Sequence, residues 1–162
     1  MRHRWRVYVE DLLDHIDRTL AARPYFPCVL LVHTDVRRLE TEGEQLALRA
    51  GWDQLAISRA LTEALIDAPV ARRSTLASIA LDGALAQRRP GPILCSDLAL
   101  LFEPLLALDP LALLRQWSRS VPVVACWPGA WTGTDLTYAV PEHAHYRLWS
   151  ATQLCSGCII RL

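Results

Sequence analysis

A three-layer α/β domain built on a mostly parallel sheet is the fold class this sequence predicts. Three observations carry that reading: short apolar runs at Cys28 to Val32, Pro92 to Ser96 and Val121 to Cys126, segments of helical period between them, and a composition of 52% hydrophobic against 21% charged residues. Strands of a parallel sheet are covered on both faces, so they show continuous apolar runs instead of alternation. At 162 residues the chain suits one domain, 1–162, with an N-terminal helix within 1–24 and a tail over 150–162.

The elements follow in order. Val9, Leu12, Leu13, Ile16 and Leu20 form the stripe of an amphipathic helix from Val7 to Ala22, stopped near Pro24. Cys28 to Val32 is the first strand. Arg38 to Ala50 is helical and ends at Gly51, a C-cap residue, before a weaker strand at Asp53 to Ile57. Ser58 to Asp67 and Ser74 to Gln87 are a pair of helices separated by Pro69, with Ser58 and Ser74 as candidate N-caps. Asp109-Pro110 starts a crossover helix to Ser120 that links the strands at Pro92 to Ser96 and Val121 to Cys126. Past a Pro128-Gly129 turn, Leu136 to Val140 and Tyr146 to Trp149 are short β runs, either edge strands or a terminal hairpin.

All 17 cations are Arg and they balance 17 carboxylates, so no global field favours nucleic acid or an acidic membrane, although local patches are open. The absence of Lys removes Schiff-base chemistry and any lysine grip on a triphosphate. The Leu98 to Leu114 stretch is broken by Glu103, Pro104, Asp109 and Pro110, so no membrane span is expected. Five Cys and an N-terminus that turns acidic where a secretory signal would be apolar lead to the expectation of a cytoplasmic protein.

The first strand runs into His33-Thr34-Asp35-Val36-Arg37-Arg38-Leu39-Glu40, where a nucleotide-binding α/β domain places a glycine-rich phosphate cradle. No glycine occurs before Gly43, and Asp35 repels phosphate. Thr34, Arg37 and Arg38 remain candidates for a degenerate nucleotide or anion site, against the plainer reading of a solvated helix start. Ile93 to Asp97 is an apolar strand ending in Ser96 and Asp97, the place where an aspartate organises magnesium in such domains.

Cys155 and Cys158 have the two-residue spacing of a zinc ligand pair, which His143 and His145 would complete as an alternative, but a zinc knuckle usually supplies two well-spaced ligand pairs, so the expectation is a frayed tail with free thiols, a polar turn and no metal site. Cys28, Cys95 and Cys126 fall within strands as small buried hydrophobes. Arg2, His3, Arg4, Trp5 and Arg6 alternate cation and aromatic, a pattern suited to nucleic acid or to a solvated terminus. Trp127, Trp131 and Trp149 either cap the core or mark a protein contact surface. No nucleophile elbow, zinc-protease helix or calcium loop occurs.

Over Leu55 to Trp149 the chain resembles BrxF, the small P-loop-containing component of type 3 BREX phage-defence systems. The residues that carry the resemblance are Pro92-Ile93-Leu94, Leu101-Phe102-Glu103-Pro104, Asp109-Pro110 with the following Leu-rich run, Trp127-Pro128-Gly129, and Leu136-Thr137-Tyr138-Ala139 with Pro141, His143 and Tyr146. It implies a P-loop NTPase-like fold and a place beside other defence subunits that restrict phage DNA or mark host DNA, with DNA met through the complex. This chain departs from the family at the phosphate loop and at the strand-end aspartate, where Ser96 aligns and Asp97 follows. The resulting expectation is a non-catalytic adaptor without cofactor; the alternatives are an ATPase that uses ATP and magnesium at a site completed by partners, or a small DNA-binding module using the N-terminal arginines.

Overall fold

The computed structural model describes residues 2–88, 90–150 and 157–162, with residues 2–7 in backbone only. Five helices and seven strands alternate along them: α1 Arg2–Ala21, β1 Cys28–His33, α2 Val36–Ala50, β2 Asp53–Ala56, α3 Ile57–Leu65, α4 Arg73–Ala86, β3 Ile93–Ser96, α5 Pro110–Ser118, β4 Val123–Trp131, β5 Asp135–Tyr138, β6 Arg147–Ser150 and β7 Ile159–Arg161. The parallel strands lie in the order β2-β3-β4-β1-β7, and β5 and β6 extend β4 as an antiparallel pair.

Alternation along the strands divides the core into two layers. Val29 and Leu31 of β1, with Leu94, Val124 and Cys126, pack against Val9 and Ile16 of α1 and Leu39, Leu46 and Ala47 of α2. Cys28, Leu30 and Val32, with Ile93, Cys95, Val123 and Ala125, face Leu61 and Leu65 of α3, Leu81 of α4 and Leu114 and Trp117 of α5. Helices thus cover both faces of a mostly parallel sheet, the three-layer α/β arrangement expected. No helix of the described residues is long and apolar enough to cross a membrane.

The helix signals succeed where backbone geometry decides them. Gly51 caps α2 in the left-handed region, its N–H donating to the Ala47 carbonyl. Asp109 caps α5 by accepting from the Ala112 N–H, with Pro110 in the first turn.

Three expectations are corrected. Ser58 and Ser74 are not N-caps: α3 and α4 start one residue earlier than each, after Ala56 and Arg72, which make no side-chain caps. The Pro128-Gly129 pair is not a turn but the middle of β4, paired with His33 on one side of the step and Tyr138 on the other. Its N–H-free proline sits at the last parallel pairing, where β4 passes from the parallel sheet to the antiparallel one and a missing donor costs least. The tail is not wholly loose, because Ile159–Arg161 forms β7 against β1 and its apolar residues complete that edge.

Candidate functional site

A cleft of about 280 Å³ opens beyond the carboxyl ends of β1, β3 and β4, the place where open α/β sheets hold ligands. Of the residues singled out from the sequence, Thr34, Asp97, Pro128, Gly129, Tyr138 and His143 line it, and Glu40, Val36 and Val140 join them. Ser96 does not line it. The chain turns at Asp97, so Asp97 is the residue presented at the end of β3.

The turn into α2 is closed on itself. The Asp35 N–H donates to His33 Nδ1 at 2.8 Å, and the Asp35 carboxylate accepts from the Arg38 N–H at 3.1 Å. None of residues 33–40 has a positive φ, so no run of amides curls into the concave nest that an anion needs. The helix N-terminus, whose partial positive charge would attract phosphate, is already met by a carboxylate of the chain's own.

The candidate arginines do not fill the gap. Arg38 Nε donates to Glu42 at 2.7 Å, one turn along the same helix, and that hydrogen bond and charge push its pKa up. Arg37 is exposed on α2 and is not among the residues lining the cleft.

On the other wall, Asp97 holds a left-handed backbone, φ 52°, an uncommon state for a non-glycine residue that aspartate tolerates better than most. Three hydrogen bonds hold it: its N–H donates to Glu40 Oε1 at 3.0 Å, and its carbonyl accepts from the Ser58 N–H at 2.8 Å and the Ser58 hydroxyl at 2.7 Å. The Ser58 oxygen in turn accepts from the Leu100 N–H at 3.1 Å. Ser58 is therefore a clamp between α3 and the end of β3, which is the physical reason it does not cap its own helix. Ala139, also in the cleft wall, is left-handed as well, φ 58°, as are Arg23 and Ala107 outside the cleft.

Glu40 is half-buried, and burial raises its pKa above the ordinary carboxylate value; the Asp97 N–H opposes the rise and the Asp97 charge adds to it. A carboxyl whose folded pKa exceeds its unfolded one contributes most below the unfolded value, and that contribution is lost as pH rises through the folded value. Glu40→Gln keeps an oxygen for the Asp97 N–H and removes the charge. The expected result is a flatter decline of stability as pH rises from the usual carboxylate range towards neutrality, measured by urea unfolding at several pH values; a slope identical to the parent would refute the assignment.

The remaining motif residues hold the fold. Phe102 stacks on Tyr138 with centroids 3.6 Å apart, and meets Trp127 edge-on at 5.0 Å. Trp127 meets Trp149 at 5.0 Å, so the tryptophans near Pro128 cap the core, with Trp131 packed partly buried beside them. Asp109 and Tyr146 lie on a separate groove with Glu103 and His145. Tyr138 is half-buried, which raises its pKa, with a smaller push from Glu103.

Of the alternative zinc set, the described residues His143 and Cys158 are not brought together. His143 lines the cleft at the carboxyl end of β1, past Thr34, whereas the Cys158 carbonyl accepts from the Leu30 N–H near the start of that strand. At about 3.3 Å per residue the two lie on the order of 13 Å apart along the sheet. Cys155 lies outside the described residues, and no group of three metal-binding side chains occurs among those described. Cys28, Cys95 and Cys126 are buried, and burial pushes their thiols up, Cys95 to about 12, so none is a ready thiolate. The side chains of Arg2, Arg4 and Arg6 lie outside the described residues.

Glu40 and Ser58 are the functional candidates that sequence reading passes over. The one available signal was helical spacing: Glu40 stands four residues after Val36, on the α2 face that reaches the cleft. Comparison with known protein families, curated proteins and solved structures finds no match for this chain.

Proposed function

We propose that this chain is a non-catalytic, P-loop-like subunit of a BREX-type phage-defence complex, acting as an adaptor. The observation that carries the reading is the self-closed turn into α2, where Asp35 takes the position a phosphate would need. Adjacent support comes from the carboxylates of Glu40 and Asp97 in the same cleft, which repel a polyphosphate. The layered parallel sheet, with two strand ends flanking β4, is compatible with a P-loop ancestry.

A second reading, an ATPase completed by partner subunits, draws on Thr34 and Asp97 lying across one cleft, where a magnesium-bound nucleotide would need them. Its proposed arginines support it poorly, since Arg38 is committed to Glu42.

Calorimetric titration of the purified chain with magnesium and ATP separates these readings. No saturable heat is expected at micromolar to millimolar ATP, and tight binding would overturn the adaptor reading. If heat appears only with partner subunits present, and disappears in Asp97→Asn, the assembly-dependent ATPase takes its place.

A further inference from the structure

At the opposite end of the sheet, where β1 and β4 begin, the surface carries an ordered array of cations on aromatic rings. The Arg115 guanidinium sits 4.1 Å from the Phe26 ring centroid and the Arg119 guanidinium 5.3 Å from that of Tyr25. The two rings meet edge-on at 4.7 Å, which fixes their mutual orientation. Tyr25 is 73% exposed, the joint highest exposure among the large hydrophobic residues.

Two features of this array point outward. No carboxylate among the described residues pairs with Arg115 or Arg119. A guanidinium that contacts a ring through its face also keeps its N–H edge free, and that edge is the fork which grips phosphate oxygens. Arg115 in the last turn of α5 and its C-cap residue Arg119 stand one turn apart, about 6 Å along the axis, a separation that one extended backbone linkage spans. The adjoining surface, at Gln116 of α5 and Ser120 just past its end, lines a hollow of about 620 Å³ that Arg88 also lines. Its one carboxylate, Asp82, accepts a hydrogen bond from the Trp117 indole at 3.1 Å. The negative end of the α5 dipole accounts for Arg119 near the helix terminus, but it gives no reason for Tyr25 to stand in water.

We infer that the Tyr25, Phe26, Arg115 and Arg119 surface binds single-stranded nucleic acid, its arginines taking phosphates and Tyr25 stacking on an unpaired base. A duplex hides its base faces, so a stacking platform selects the single strand. The surface is distinct from the arginine-rich N-terminus, which α1 carries some 24 Å away from Ala21 at 1.5 Å per residue. It also stands independently of the nucleotide question at the cleft.

The test is fluorescence anisotropy of a labelled oligothymidine with the full chain, across a salt series. Saturable binding is expected, stronger than for a duplex of equal length. Tyr25→Ala, at an exposed position that leaves the core alone, is expected to weaken it about tenfold. Arg115→Ala with Arg119→Ala is expected to reduce the salt slope by about 1.4, two phosphates at about 0.7 each. Circular dichroism of each variant verifies the fold. The inference is overturned if the oligonucleotide does not bind, if Tyr25→Ala binds like the parent, if polyglutamate competes equally well, or if binding depends on Arg2, Arg4 and Arg6 and not on the surface.

Discussion

Trp127→Ala is expected to remove most of the stability of the chain. Trp127 is fully buried, packed edge-on to both Phe102 and Trp149, and its indole N–H donates to the Thr137 carbonyl at 2.8 Å. Truncating a buried Trp costs about 3–5 kcal/mol through lost transfer energy and the cavity left behind. Leaving the Thr137 carbonyl without its donor adds about 1–3 kcal/mol. Domains of this size have about 5–15 kcal/mol in total, so the variant is expected to be largely unfolded or to melt far below the parent. Trp127→Phe fills much of the space without the donor and should fall between the two. Urea denaturation followed by far-UV circular dichroism measures all three, and a loss below about 1 kcal/mol for Trp127→Ala would mean that the aromatic stack is not a keystone of this core.

Gly129→Ala should be nearly as damaging, for a different reason. A Cβ at this position would run into the Thr137 carbonyl oxygen and carbon, which belong to the strand paired with it. Backbone in a sheet cannot swing aside as a flexible side chain can. The β4–β5 pairing must therefore open where the Trp127 indole is hydrogen-bonded, and a cost of about 3 kcal/mol or more is expected. Gly83→Ala provides the contrast: nothing lies within reach of an added Cβ at this position inside α4, one turn before its end, so the same substitution there should raise stability by up to about 1 kcal/mol. Thermal melts of the two variants should move in opposite directions; equal shifts would contradict the collision argument.

Both positions belong to the Trp127-Pro128-Gly129 segment that stood out in the sequence as part of a motif. The structure gives that segment two roles in succession. Trp127 points into the core, while Pro128 and Gly129 form part of the cleft wall. Alternation sends the Pro128 ring to the face opposite Trp127, whereas Gly129 shares the Trp127 side and reaches the cleft because it carries no side chain, a Cβ there meeting the Thr137 carbonyl and the Trp127 indole. A linear motif can thus combine core and site residues without marking which is which.

The opposed character of the two sheet ends has a bearing on assembly. One end presents carboxylates within an apolar-walled cleft, and the other presents unpaired guanidinium groups on aromatic rings. With a formal net charge of zero, the chain has no net charge that would attract nucleic acid from every direction, so recognition comes from these local surfaces.

Local physics made much of the architecture readable from the amino acids. Apolar strands, the Gly51 and Asp109 caps and the missing glycines and lysine after β1 are each decided within a few residues, by periodicity, backbone freedom or the presence of a functional group. What required the folded chain was every relation across it. Glu40 meets Asp97 over 57 positions and Ser58 meets Asp97 over 39, β7 returns to the far edge of the sheet, and Tyr25 and Arg119 come to share one surface. Such contacts depend on strand order and on which way each strand faces, and these follow from burying two apolar faces at once, a condition that no short stretch of sequence contains.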